Sequence, residues 1–225
     1  GKRILFLDYC WDFQEITYSK VKSQNDEIHI IYCGNIYAFE KDKQSIDPAA
    51  HQLWLANLLE KQGIHYHVYR SHSKDTIKDL ERKFSDYITL SNRSSFFHFH
   101  RPCKNDDLIQ EISQYDFGIL ILSKEINGVE TDVYNLNKYN YAISNKIFDY
   151  LDAGLPIIMS QGKFPHFIAS RYGASIDVDL ELLTNGKNIL LELMNSSILK
   201  KVNSSKNNYS IHIQVNRLIE FYKMI

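Results

Sequence analysis

Two continuous apolar runs, Phe117 to Leu122 and Leu155 to Met159, constrain the fold of this chain more than any other feature. A strand with one wet face alternates apolar and polar residues, whereas a strand covered on both faces has no need to. Neither run approaches the roughly 18 residues that a bilayer crossing requires. The cover must therefore be protein, and a parallel sheet with helices on both faces supplies it.

The rest of the chain alternates as such a sheet demands. Ile4 to Leu7 and Glu27 to Cys33 are of strand type, the second rich in β-branched and aromatic residues and broken by Gly34. Asp47-Pro48 reads as a helix start, with Ala49, Leu53, Leu55, Ala56 and Leu59 at helical spacing up to Gly63. His65 to Tyr69 is a strand, Thr76 to Phe84 a polar helix, and Tyr87 to Leu90 and Phe96 to His100 two further strands. A helix from Asp106 to Gln114 precedes the apolar strand at 117. Ser123 to Tyr141 is polar and without periodicity, of a length at which loops are commonly functional. Ser144 to Gly154 reads as a helix, followed by the strand Leu155 to Met159. Helices near Pro165 to Arg171, Leu180 to Met194 and Ser210 to Lys223 and a strand near Ala174 to Val178 complete the pattern. The expected fold class is α/β, a Rossmann-like parallel sheet in one domain over residues 1–225, with no internal repeat or linker.

Composition removes several functions. The chain of 225 residues has 26 Lys+Arg against 27 Asp+Glu and a net charge of -1, so it lacks the basic excess of a protein devoted to nucleic-acid phosphate. Cys10, Cys33 and Cys103 are odd in number and have no paired ligand spacing, which argues against a disulfide framework and a zinc ribbon and points to a reducing cytoplasm. No GxGxxG or Walker pattern supports a nicotinamide or ATPase reading. The chain opens Gly1-Lys2-Arg3 and its first methionine is Met159, as expected of a fragment or a processed chain.

In an open parallel sheet, ligands bind beyond the carboxyl ends of the strands, where helix N-termini favour phosphate. That nominates Gly34 to Lys43, His100 to Asn105, Ser123 to Asn145 and Ser160 to Pro165. His98 and His100 share one strand face with Phe96, opposite Phe97 and Phe99. With Cys103 they could suggest a metal, although such histidines are usually structural. Lys146 and Asp149, three apart on a helix, read in isolation as an exposed ion pair. Ile147, Phe148 and Leu151 form the face expected to bury, leaving Lys146, Asp149 and Tyr150 on the other side.

The segment Asn145 to Ile158, NKIFDYLDAGLPII, resembles the signature of the donor-binding domain of GT-B glycosyltransferases, especially the retaining family 4 type. Tyr32-Cys33-Gly34-Asn35 resembles that family's first strand and glycine turn, Asp106 to Leu122 its acidic helix and following strand, and Ser210 to Tyr222 its closing helix. The resemblance covers roughly residues 27–225 and implies one half of a GT-B fold, the acceptor-binding half being absent from this chain.

It further implies a nucleotide-diphosphate sugar as substrate and a saccharide or lipid-linked acceptor, in a cytoplasmic enzyme of hexosyltransferase type, peripheral to the membrane when full-length and serving bacterial surface polysaccharide synthesis. Asp149 stands where the family places a carboxylate on the ribose, with Asp in place of the usual Glu. The second acidic position eight residues earlier is Tyr141, which transfers the catalytic expectation to Glu125 or Glu130. The first of the family's basic pair is replaced by Asn35, which leaves Lys41 or Lys43 to supply charge. Gly34, Asn35, Lys41, His100, Arg101, Ser144, Asn145, Lys146 and Asp149 are the expected substrate-binding residues. Lys146 and the backbone N–H groups of Ser144 to Lys146 can meet the leaving diphosphate without a metal, so no cofactor or obligatory cation is expected. A GT-B epimerase and a non-catalytic nucleotide-binding module are the rival readings.

Overall fold

The computed structural model describes residues 27–36, 52–70, 76–121, 125–126, 129–130, 138, 140–159, 163–177, 186–194, 196–205 and 210–224. The expected strand at Ile4 to Leu7, the helix start at Asp47-Pro48, and Lys41 and Lys43 lie outside them. The elements run β1 (His29–Gly34), α1 (Leu53–Glu60), β2 (His65–Arg70), α2 (Ile77–Lys83), α3 (Ser85–Arg93), β3 (Phe97–His100), α4 (Asn105–Ile112) and β4 (Phe117–Leu120). There follow β5 (Glu125–Ile126), β6 (Val129–Glu130), α5 (Asn145–Asp152), β7 (Ile157–Met159), α6 (Lys163–Arg171), β8 (Ser175–Asp177), α7 (Lys187–Met194), α8 (Ile198–Ser205) and α9 (Ile211–Lys223).

Six strands form one parallel sheet in the order β3-β2-β1-β4-β7-β8. Its faces are covered as the unbroken apolar runs require. On one face Ile30, Tyr32, Tyr66, Val68, Phe97, Phe117, Ile119 and Ile158 pack with Leu55, Ala56 and Leu59 of α1, Tyr87 and Leu90 of α3 and Leu190 of α7. On the other, Ile31, Cys33, Tyr69, Ile157 and Met159 pack with Ile112 of α4, Ile147, Phe148 and Leu151 of α5 and Ile168 and Ala169 of α6. Each large apolar side chain buried this way contributes about 1.5–3 kcal/mol. The three on α5 fix that helix firmly to the sheet.

Two expectations need correction. Tyr87 to Leu90 is not a strand but the middle of α3. Phe84, Tyr87 and Leu90, spaced by three, are all buried, a helical stripe that outweighs the local β-propensity of Tyr, Ile and Thr. Asp86 in the first turn and Arg93 in the last complement the helix dipole. The polar segment after Phe117–Leu120 contains a small antiparallel hairpin, β5 with β6, in which Glu125 stands opposite Glu130. Helix α8 lies in a stretch for which no element was expected. Among the described residues, no helix is long and apolar enough to cross a membrane.

Candidate functional site

Strands β2 and β3 extend the sheet from one side of β1, and β4, β7 and β8 from the other. The chain therefore reverses its direction of growth between β1 and β4, and the carboxyl end of β1 lies beside the crevice where open α/β sheets bind ligands. That end is Cys33-Gly34.

Helix α5 sits over this point. Its N-cap, Ser144, is extended and supplies no side-chain cap, and its first turn has no acidic residue. The helix dipole thus opens toward the crevice without a carboxylate to offset it. Lys146 lies against Gly34, which has φ 145°. A Cβ at position 34 would collide with Lys146 Cε and stand 2.8 Å from its Nζ. Only glycine lets β1 end in this conformation while a lysine side chain crosses it. The same ammonium stands 5.2 Å from the centroid of the Tyr32 ring, a cation–π contact. The Tyr32 hydroxyl donates to the Asn35 carbonyl at 2.9 Å and fixes the turn that follows.

Tyr150 ties the helix to both central strands. The β1–β4 ladder registers Ile30 with Phe117 and Ile31 with Gly118. Beyond it, the Cys33 N–H donates to the Tyr150 hydroxyl at 3.1 Å, and that hydroxyl donates to the Ile119 carbonyl at 3.4 Å. Its ring lies over Gly118, whose missing Cβ would be 2.5 Å from two ring carbons. Tyr150 is thus fully buried, on the sheet side of α5 rather than with Lys146 and Asp149. The sequence expectation missed this because the slot that admits the ring is made by a glycine on another strand.

Asp149 is half-buried, one residue before Tyr150. Burial pushes its carboxyl up to about 6, against the pull of the Lys146 charge and with that of Asp152. Cys33 beside it is inert: burial, with the Asp149 charge, pushes its thiol up to about 12. The crevice therefore combines one cation, one poised carboxylate and a helix N-terminus within one short segment and the strand end beneath it.

Of the residues expected from sequence, Gly34, Lys146 and Asp149 are brought together, with Ser144 and the exposed Asn145 at the start of the same helix and the exposed Asn35 directly after Gly34. His100 ends the edge strand β3, two strands from β1, and the exposed Arg101 follows it. Tyr141 is 72% exposed. Glu125 and Glu130 are described in backbone only, and Lys41 lies outside the described residues.

His98 and His100 are part of a ladder of five histidines across three strands. Phe96 does share their face, its ring 5.0 Å from that of His65. His65 Nδ1 is 3.0 Å from His98 Nε2, His67 Nδ1 is 2.9 Å from His100 Nε2, and His29 Nδ1 is 2.9 Å from His67 Nε2. The rings of Tyr69 and His100 stack at 4.2 Å. Cys103 is not in this group; its thiol donates to the Lys104 carbonyl at 3.4 Å. The signal was present in the alternating histidines of HYHVY and FHFH, which parallel pairing places side by side.

Burial lowers all five histidines, His98 to about 4 and His67 further, with neighbouring imidazoles adding to the effect for His29, His67 and His98. The unfolded chain thus binds protons that the fold does not, so this stability is complete above pH 6.5 and lost as pH falls toward 4. Asp149 acts in the opposite sense over part of that window, as one group against five. Thermal unfolding followed by circular dichroism is expected to show a flat midpoint above pH 7 and a fall of about 5–10 °C by pH 5. A midpoint equal at pH 7 and 5 would show that the ladder is not held neutral.

No known protein family matches the chain's sequence, and no curated protein does. Solved structures do. The GtfA/B complex aligns over 97% of this chain and 38% of its own, with 10% identity and a TM-score of 0.53. A glycosyltransferase from Rickettsia africae aligns over 90% and 48%, with 14% identity and a TM-score of 0.52. The fold is that of one GT-B half. Anabaena HepE in complex with UDP-glucose aligns over 87% of this chain and 49% of its own, with 10% identity and a TM-score of 0.52. The chain spans less than half the length of each of these structures.

Proposed function

We propose that this GT-B half binds the nucleotide-diphosphate sugar donor of a glycosyltransferase of the retaining family 4 type. The observation that carries the reading is Lys146 lying across Gly34 at the point where the sheet reverses its growth, with Asp149 one turn along the same helix. The ionised Asp149 holds the ribose hydroxyls. Lys146 and the open N-terminus of α5 face the diphosphate, where negative charge develops as the sugar–phosphate bond breaks. These groups do the work without a metal in the crevice. The sugar is presented toward a second, acceptor-binding half outside this chain, and Glu125 or Glu130 supplies the carboxylate nearest the sugar. The likeness to structures such as the HepE complex with UDP-glucose supports a nucleotide-sugar donor. The fitting setting is cytoplasmic assembly of a bacterial surface polysaccharide on a saccharide or lipid-linked acceptor.

Thermal-shift titration of this chain with UDP, GDP, ADP and CMP tests the reading. One nucleotide should raise the melting midpoint, since a ligand of the native state at 100 times its Kd adds about 2.7 kcal/mol. Asp149→Ala should abolish the shift. A shift unchanged in that variant would remove Asp149 from the site, and no shift with any nucleotide would favour a module that does not bind nucleotide.

A further inference from the structure

The amino-terminal ends of the strands, opposite the crevice, carry a second cluster of chemistry-bearing side chains. We propose that Glu27, His29 and His65 form a binding site for a divalent transition metal of the zinc type at the amino-terminal ends of β1 and β2.

His29 and His65 are the first residues of those strands and direct partners in the parallel register. Glu27 lies before them, with its two oxygens 3.8 Å from His29 Nε2 and 4.0 Å from His65 Nε2. The three ligand atoms all lie within 4.8 Å of one another. Two imidazoles and one carboxylate are the ligand set of an open zinc site, whose fourth position is left to water. Bonds of about 2.0–2.1 Å to a tetrahedral ion place ligand atoms about 3.3 Å apart. Closing the cluster therefore needs a small inward movement of Glu27, whose side chain is 43% exposed, and a tilt of two rings now stacked at 4.5 Å.

The second observation is how the histidines are held. His29 is 6% exposed, and its buried Nε2 makes no hydrogen bond. Its other nitrogen, Nδ1, is 2.9 Å from His67, and Nδ1 of His65 is 3.0 Å from His98. A metal-binding histidine needs this arrangement, with one nitrogen hydrogen-bonded to a neighbour so that the lone pair of the other faces the ion. The tautomers agree along the chain: with Nδ1–H of His29 donating to His67 Nε2, Nδ1–H of His67 donates to His100 Nε2. Asp116 fixes the backbone at His29 from both sides, accepting from its N–H and donating to its carbonyl, each at 2.9 Å. The site is at the amino-terminal end of β1, with Gly34 at its carboxyl end, and does not depend on the nucleotide reading.

The test is competition for zinc between the full chain and a chromophoric chelator at pH 7.5. One zinc per chain is expected, with affinity reduced at least tenfold in Glu27→Gln and in His65→Gln. Glu27 is partly exposed and precedes the strand, so Glu27→Gln should keep the fold, as circular dichroism can verify. His212→Gln, on the exposed side of α9, should bind as the parent does. Cobalt in place of zinc should give visible absorption bands that Glu27→Gln alters. Equal zinc affinity in the parent and Glu27→Gln, or a loss that follows His212→Gln instead, would overturn the proposal.

Discussion

Gly118→Ala is expected to cost about 3 kcal/mol and to lower the melting midpoint by about 6–12 °C. The added Cβ would stand 2.5 Å from Tyr150 Cγ and Cδ2 and 2.8 Å from Cδ1. The ring has nowhere to go: it is fully buried, and its hydroxyl is held 3.1 Å from the Cys33 nitrogen. Either β4 shifts in the middle of the sheet or the hydroxyl lets go, which leaves a buried N–H unpaired at about 1–3 kcal/mol. The clash belongs to a pair, so the effects of the two positions should not add. Tyr150→Leu should be destabilising alone, yet Gly118→Ala should cost less in that background than in the parent. Melting curves of the two single variants and the double variant decide it, and additive losses would mean that the ring is not what Gly118 accommodates.

Asp149→Asn should change stability and binding in opposite directions. The carboxyl, pushed up to about 6 chiefly by burial, holds its proton more tightly in the fold than in the unfolded chain, whose value is near 3.8. Its favourable contribution is therefore complete below pH 3.8 and lost as pH rises through 6, so that at pH 7.5 a half-buried charge weighs against the fold. Removing that charge should raise stability at pH 7.5 by about 1–2 kcal/mol, or about 3–6 °C, and should have no such effect at pH 4. The same substitution should abolish the nucleotide-induced shift. A residue kept for packing would not behave this way, because its loss would weaken the fold. A variant that is less stable than the parent at pH 7.5 would contradict this account of Asp149.

The strand and helix alternation was legible because each element repeats its own period. Phe117 to Leu120 and Ile157 to Met159 are strands, and α5 stops before Gly154 as its sequence indicates. Gly34, Lys146 and Asp149 were also legible, since the strand–glycine turn and the NKIFDYLD helix are local patterns. What was not legible depends on contacts between distant residues. Tyr87 to Leu90 has the composition of a strand and becomes a helix because its buried stripe packs against Phe97 and Phe99. The position of Tyr150 depends on a glycine 32 residues earlier in the chain. The histidine ladder needs three strands in parallel register, and a single sequence shows the three strands without showing that their histidines become neighbours.

The Tyr150 bridge has a further consequence for recognition. Lys146 and Asp149 are carried on a helix whose hydroxyl contact joins the two central strands, so their placement is set when the sheet forms and not when a ligand arrives. Ordering a long side chain on binding costs about 0.5–1.5 kcal/mol, and a loop-borne site bears that cost for every group it recruits. Here the ammonium already rests on Gly34 and the Tyr32 ring. Association at this crevice should therefore resemble a rigid key entering a finished lock, with little conformational entropy surrendered by the protein.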